Sequence, residues 1–382
     1  MVADLKQPPA ARFEPGACAR LVVKIGSALL VDPSGTVRRE WLQGVVSDIA
    51  ARHAAGQQMI IVSSGAIALG ARRLALPKGG RASLEDAQAA AATGQIALSH
   101  CWAELLGGEG LTAAQILVTL DDLEDRRRYL NAASTLDRLL SLGVIPIINE
   151  NDSVATEEIR FGDNDRLAAR IGQASGAAGV ILLSDIDGLY TANPQRDPDA
   201  THIPEVARID ARIRAMADSG SQSGMGSGGM VSKLEAARIA TSAGAHLAIV
   251  SGHMDRPLTA FASGARGTVF VAGRSERGRR AWLAGRLTVK GTLHVDAGAA
   301  KALNERRSLL PAGVVRVEGS FRRGDVLDII APDGHVLARG LAEYDLEDAV
   351  RITGKRTDML TEILGYAPRA AMVHRNHMVL IG

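Results

Sequence analysis

Two rhythms of apolar residues divide the chain. From Arg20 to about Ala272, short unbroken aliphatic runs alternate with longer segments whose apolar residues return every three or four positions. The runs predict buried strands over 21–24, 59–62, 116–118, 144–148 (broken only by Pro146), 180–183 and 247–250. The helical spacing predicts one helix carrying Trp41, Leu42, Val45, Val46 and Ile49, and others over 66–74, 84–106, 122–142, 163–174 and 230–243. Strands without polar alternation need cover on both faces. The pattern therefore predicts an α/β fold, a three-layer arrangement with a mostly parallel sheet and helices on both faces, over 20–273. Ligands of such sheets sit beyond the carboxyl ends of the strands. Past Gly273 the rhythm changes. A basic linker over 274–284 is followed by a short helix near 297–307. Alternating positions then carry the turn signals Arg323-Gly324-Asp325 and Pro332-Asp333-Gly334. This predicts a separate, small β-rich C-terminal domain over 285–382. Residues 1–19 hold three prolines and no apolar run, and are expected to form a disordered arm.

Composition narrows the picture. Apolar residues make up 46% of the 382 positions but aromatics only 3%, so the core must be aliphatic. A net charge of +2 is too close to balance to imply a polyanion partner for the whole chain. The charge is uneven, however: 274–323 holds 12 Lys/Arg against 4 Asp/Glu. Cys18 and Cys101 fit neither a disulfide framework nor a metal spacing, so a reducing, cytoplasmic setting is expected. No apolar run reaches the length of a membrane span, and the N-terminus lacks the apolar core of a signal peptide.

Candidate chemistry gathers where the strands are predicted to end. Lys24 closes the first strand, and Gly26-Ser27 turns after it. Ser63-Ser64-Gly65 joins the second strand to a helix. Asn149 and Asp152 follow the 144–148 strand, and Asn164 and Asp165 open the helix after it. Ser184-Asp185 closes the 180–183 strand. The stretch 219–230 holds five glycines and four serines and runs straight into a helix with Lys233 in its first turn. Glycine lets successive N–H groups face an anion, and a helix N-terminus adds partial positive charge. The same composition also fits a Gly/Ser linker. It is not a P-loop, because Leu234 stands where that motif has Ser or Thr.

Taken in order, KIGSALL, VSSGAIALG, PIINENDSV, FGDNDRLAA, SDIDGLYTANP and GSGGMVSK resemble the amino-acid kinase family, and within it the branch that acts on free glutamate. The C-terminal GTLHVDAGAAKAL, RRGDV and ARGLAEYD resemble a PUA domain. The resemblance implies the amino-acid kinase fold and transfer of the ATP γ-phosphoryl group to the side-chain carboxylate of L-glutamate, a step towards proline. It implies that Lys24 and Lys233 face the phosphates and that Asp165 holds both. It implies that Ser64, Asp152 and Asn164 bind glutamate with Asn149 nearby. ATP would be bound by Lys24, Ser184, Asp185 and the run Ser227, Gly228, Gly229, Met230, Val231, Ser232 and Lys233, with Mg2+ carried largely by the phosphates. A homo-oligomer, dimer or tetramer, and proline as a feedback inhibitor are implied too. Ala28 departs from the pattern, since many relatives carry a hydroxyl there. Two alternatives stay open. Acetylglutamate, aspartate and nucleoside-monophosphate kinases of the same family would use the same lysines, and the basic C-terminal region would suit RNA.

Overall fold

The computed structural model describes residues 8–154, 164–218, 229–273, 289–366 and 368–381. The chain separates into two compact units: Met1–Leu123 with Ala132–Gly273, and Glu124–Asn131 with Arg274–Gly382.

The first unit is built on an eight-stranded sheet. Its strands are β1 (Arg20–Ile25), β2 (Gln58–Ser63), β3 (Ala113–Val118), β4 (Ile145–Glu150), β5 (Gly179–Ser184), β8 (Glu205–Val206), β9 (His246–Ser251) and β10 (Gly267–Phe270), with a small ribbon of β6 (Leu189–Tyr190) and β7 (His202–Ile203) beside it. The order is β3-β4-β2-β1-β5-β9-β10-β8. Every neighbouring pair is parallel except β9–β10. Successive side chains leave a strand on opposite faces, and here they feed two cores. Leu21, Val23 and Ile25 join Met59, Ile61, Ile181 and Leu183 in one. Val22 joins Ile60, Val62, Val180 and Leu182 in the other. Helices Arg39–Ala54 and Leu84–Gly108 cover the first face, and Asn164–Ser175 and Met230–Ser242 the second. Pro146 is accommodated inside β4 because pairing with β2 begins only at Ile147.

Three local features depart from what the sequence pattern suggests. The expected 122–142 helix is two, Leu120–Glu124 and Arg126–Ser141, because the Asp125 carboxylate accepts the Arg128 N–H at 2.9 Å and starts a new helix. The N-terminal arm does not fray from Pro9 onward; residues 1–7 lie outside the described set. Pro9–Phe13 is a 3-10 helix that buries the Phe13 ring completely, 5.9 Å from Phe261 between centroids. Arg52 Nη1 and Gln57 Nε2 both donate to the Phe13 carbonyl at 2.9 Å. Helix Ala66–Arg73 also lies unusually close to Leu84–Gly108. A Cβ on Gly70 would fall 1.7 Å from the Ala90 carbonyl oxygen, and one on Gly94 1.8 Å from that of Ala66. Only glycine permits that approach, and it brings Leu84–Gly108 up to the end of β2.

The second unit is a mixed five-stranded sheet, ordered β12-β11-β13-β14-β15, of β11 (Gly291–Val295), β12 (Val314–Gly319), β13 (Val326–Ile330), β14 (Val336–Leu341) and β15 (Met378–Leu380). Its core gathers Leu293, Ile329, Leu303, Leu337 and Ile352 among others. Both expected turns are present, with Gly324 at φ +91° and Gly334 at φ +89°, conformations that favour glycine. The expected 297–307 helix is Ala297–Asn304, capped by Asp296. The basic linker over 274–284 lies outside the described residues.

Candidate active site

The alternation of side chains along β1 decides where Lys24 goes. It shares the parity of Val22, so its side chain leaves the sheet on the face covered by Asn164–Ser175 and Met230–Ser242. Both helices begin at the carboxyl edge of the sheet, one with Asp165 and the other with Lys233 in its first turn. The three side chains meet there. Lys24 Nζ lies 2.6 Å from Asp165 Oδ1, and Lys233 Nζ donates to Asp165 Oδ2 at 3.0 Å. All three are buried: Lys24 is 7%, Lys233 4% and Asp165 1% exposed. Burial alone would push the Asp165 carboxyl up. The two ammonium groups outweigh it and hold the carboxyl below its usual range. Two cations and one anion leave a formal +1 in a nearly dry position. A ligand placed against these two ammonium groups would be best matched as an anion.

Beside the triad lies a net of amides. Asn164 Nδ2 donates to Ser64 Oγ at 2.7 Å and to Asn149 Oδ1 at 3.0 Å. Asn149 Nδ2 donates in turn to Gln95 Oε1 at 2.8 Å. Gly65, at φ +110°, and not Ser64, is the cap residue of Ala66–Arg73, and it has no side chain to bond the first N–H groups. Asp152 is buried and joins neither cluster by a hydrogen bond among the described residues. Its Oδ1 has no partner there. Burial pushes its carboxyl up to about 6, against a downward pull from Arg81.

Of the expected nucleotide residues, Ser184 is buried at the end of β5 and donates to the exposed Asp185 carboxylate at 2.9 Å. Gly229 caps helix Met230–Ser242 without a side-chain bond to its N–H groups, and Met230, Val231, Ser232 and Lys233 form the first turn. Ser227 and Gly228 lie outside the described residues. Two residues that hold the site went unread in the sequence: Gln95 behind Asn149, and Trp102, whose Nε1 donates to Ser63 Oγ at 2.9 Å. A signal existed. Ala91, Gln95, Leu98 and Trp102 are all buried at helical spacing, and a lone glutamine on such a face needs polar partners.

The sheet, the doubly covered strands and the lysine–aspartate–lysine cluster at their carboxyl ends define a class. The chain belongs to the amino acid kinase family, whose model matches residues 19–251, and a PUA domain matches 291–364. It is 70% identical to a glutamate 5-kinase of Sphingopyxis alaskensis over 97% of this chain and 99% of that one. The glutamate 5-kinases of Zymomonas mobilis and Novosphingobium aromaticivorans are 64% and 60% identical, over 97% and 95% of this chain and 93% and 96% of theirs. Among the described residues, no helix is long and apolar enough to cross a membrane.

Proposed function

We propose that this chain transfers the γ-phosphoryl group of ATP to the side-chain carboxylate of free L-glutamate, giving L-glutamyl 5-phosphate, the first step of proline synthesis. The observation that carries this is the buried Lys24–Asp165–Lys233 cluster, which gathers two cations on one carboxylate at the carboxyl ends of the strands. The acceptor carboxylate, with an ordinary pKa of about 4.3, is already ionised at neutral pH, so no general base is needed. An oxygen of that carboxylate forms a bond to the γ-phosphorus. The bond from phosphorus to the β–γ bridging oxygen breaks, and ADP leaves with the electron pair. The obstacle is repulsion between an anion and a polyanion, and it is met by positioning and charge. Lys24 and Lys233 supply the charge. Asp165 relieves the repulsion between them and fixes their geometry. The start of Met230–Ser242, with Gly229 as its cap residue, would turn N–H groups to phosphate oxygens, and Ser184 and Asp185 stand at the end of β5 to receive the rest of the nucleotide.

Magnesium fits as a companion of ATP. Among the described residues no three His, Cys, Asp or Glu side chains gather as a metal site. A Mg2+ coordinated mostly by phosphate oxygens and water asks for no such cage. Its contribution when bound is to neutralise phosphate charge.

Asp152 supports free glutamate over an N-acetylated acceptor. A free ammonium group would pair with the buried carboxylate, whereas an amide would leave it unpaired, at a cost of about 1–3 kcal/mol. Trapping the acyl phosphate with hydroxylamine tests the reading, using glutamate, N-acetylglutamate and aspartate as acceptors with Mg-ATP. Glutamate should give the hydroxamate. A stronger signal from either other acceptor would replace it as the substrate.

Asp152 also gives a paired prediction. Its folded-state pKa of about 6 exceeds the unfolded value of about 3.9. Ionisation therefore costs folding stability, a cost absent below about pH 4 and complete above about pH 6. Asp152→Asn should stabilise the ligand-free protein at pH 8 by about 1–3 kcal/mol while raising the glutamate KM about tenfold or more and sparing the ATP KM. In the unsubstituted protein kcat/KM for glutamate should fall as the pH drops through about 6, and the Asn variant should lose that limb. Equal changes in both KM values would take Asp152 out of the substrate site.

A further inference from the structure

The amides around Asn164 form a chain of hydrogen bonds whose direction is fixed at both ends. At the outer end, Ser99 Oγ donates its only proton to the backbone carbonyl of Gln95 at 2.8 Å. That oxygen can therefore only accept from Gln95 Nε2, which lies 3.1 Å away. Gln95 must then present Oε1 to Asn149, which donates Nδ2 to it at 2.8 Å. At the inner end the Glu150 backbone N–H, which can only donate, points at Asn149 Oδ1 from 2.9 Å. Both constraints give the same orientation for Asn149. Its Oδ1 accepts, so Asn164 must turn Nδ2 towards it, and Ser64 Oγ accepts the other Nδ2 proton. Asn164 Oδ1 is left as an acceptor. It is buried and has no partner among the described residues. Asn149 gives an Nδ2 proton to Gln95 and takes protons on Oδ1 from Asn164 and the Glu150 N–H, so within this chain it stands behind Asn164.

We infer that Gln95 is a positioning residue: through Asn149 it sets which way the Asn164 amide faces, and so gives the site a carbonyl oxygen for the ammonium group of the substrate. The inference rests on the proposed function, which supplies a substrate with a free amine. With Asn164 reversed, an NH2 would confront that ammonium group, exchanging an attraction for a repulsion. Helix Leu84–Gly108 comes near enough to do this because Gly94, next to Gln95, lets it pass against Ala66.

The test compares the full-length protein with its Gln95→Met and Gln95→Glu variants. For each, kcat, the KM values for glutamate and ATP, and the inhibition constant of glutarate are measured. Glutarate is the same dicarboxylate without the amine. Gln95→Met should raise the glutamate KM about tenfold and leave the ATP KM and the glutarate constant within about twofold. Gln95→Glu keeps an oxygen facing Asn149 Nδ2 and should recover most of the glutamate KM. A purely structural role would move the glutarate constant in step with the glutamate KM, and that result would overturn the inference. An unchanged glutamate KM in Gln95→Met, or a Glu variant as impaired as the Met variant, would do so as well. If Gln95→Met fails to fold, the Glu variant alone still decides, since it must bind glutamate nearly normally. No product from glutamate in the unsubstituted protein would bring down the proposed function itself, a failure visible before any variant is compared.

Discussion

Lys24→Met and Lys233→Met should each lower kcat by about 10²–10³-fold, the range seen when one preorganised charge or donor is removed from a transition state. Methionine keeps the approximate length of the side chain and deletes the charge. The cluster then falls from a formal +1 to neutral, and the phosphates lose a cation in a site too dry for water to replace it. Two unit charges about 4 Å apart attract by about 4 kcal/mol at an effective dielectric constant of 20, enough for such a loss. The loss belongs mainly in kcat, because charge builds on the transferring group as the acceptor approaches. The glutamate KM should move less, since the amine-binding groups are untouched. The two lysines act on one group, so the double variant should fall well short of the product of the single losses. Single variants within tenfold of the parent would show that the cluster is an internal ion pair with no part in turnover. Folding stability separates the effects: each single variant leaves Asp165 paired with one lysine, so its denaturation midpoint should shift little beside the change in rate.

Much of this site is legible in the linear chain, and the reason is geometric. Apolar runs at Leu21, Met59, Val180 and Leu247 mark strands, and doubly covered parallel strands place their ends at one edge. Lys24, Ser64, Asn149 and Ser184 were readable as neighbours from that rule alone. The meeting of Lys24 with Asp165 and Lys233 also follows from side-chain parity on β1, once the covering helices are known. Other features carry no such signature. Gly70 and Gly94 look like interruptions of alanine-rich helices, and only the crossing shows that a methyl group would strike a carbonyl oxygen. Phe13 sits among proline, glycine and charged residues, so no period announces its burial. Yet the chain has only five phenylalanines, and the four among the described residues, Phe13, Phe261, Phe270 and Phe321, are all buried in an otherwise aliphatic core. Strand β8, two residues long, is too short to display a rhythm and is defined by its neighbour β10.

Asp165→Ala is expected to cost about 3–5 kcal/mol of folding stability, the range for breaking a buried ion pair from one side, and to abolish measurable turnover. The two lysines would be left facing each other with no anion between them. Their response is to lose a proton, admit water or move apart, and each of these destroys the geometry that serves the phosphates. Urea denaturation at neutral pH measures the loss as a lower midpoint at unchanged slope. The pH dependence supplies an independent check. The Asp165 carboxyl is held below its ordinary range by the two lysines. Its stabilising effect is therefore complete above the unfolded-state pKa of about 3.9 and disappears as the pH falls through the lower folded value. The gap between parent and variant should hold steady from neutral pH to about pH 5 and close only in stronger acid. Added inorganic phosphate gives the last discrimination. A cavity holding both ammonium groups without the Asp165 carboxylate should bind the anion in its place, so phosphate should raise the midpoint of the variant more than that of the parent. A variant that loses less than about 1 kcal/mol, with no added response to phosphate, would mean that water already reaches both amines. The electrostatic basis of the proposed catalysis would then fail with it.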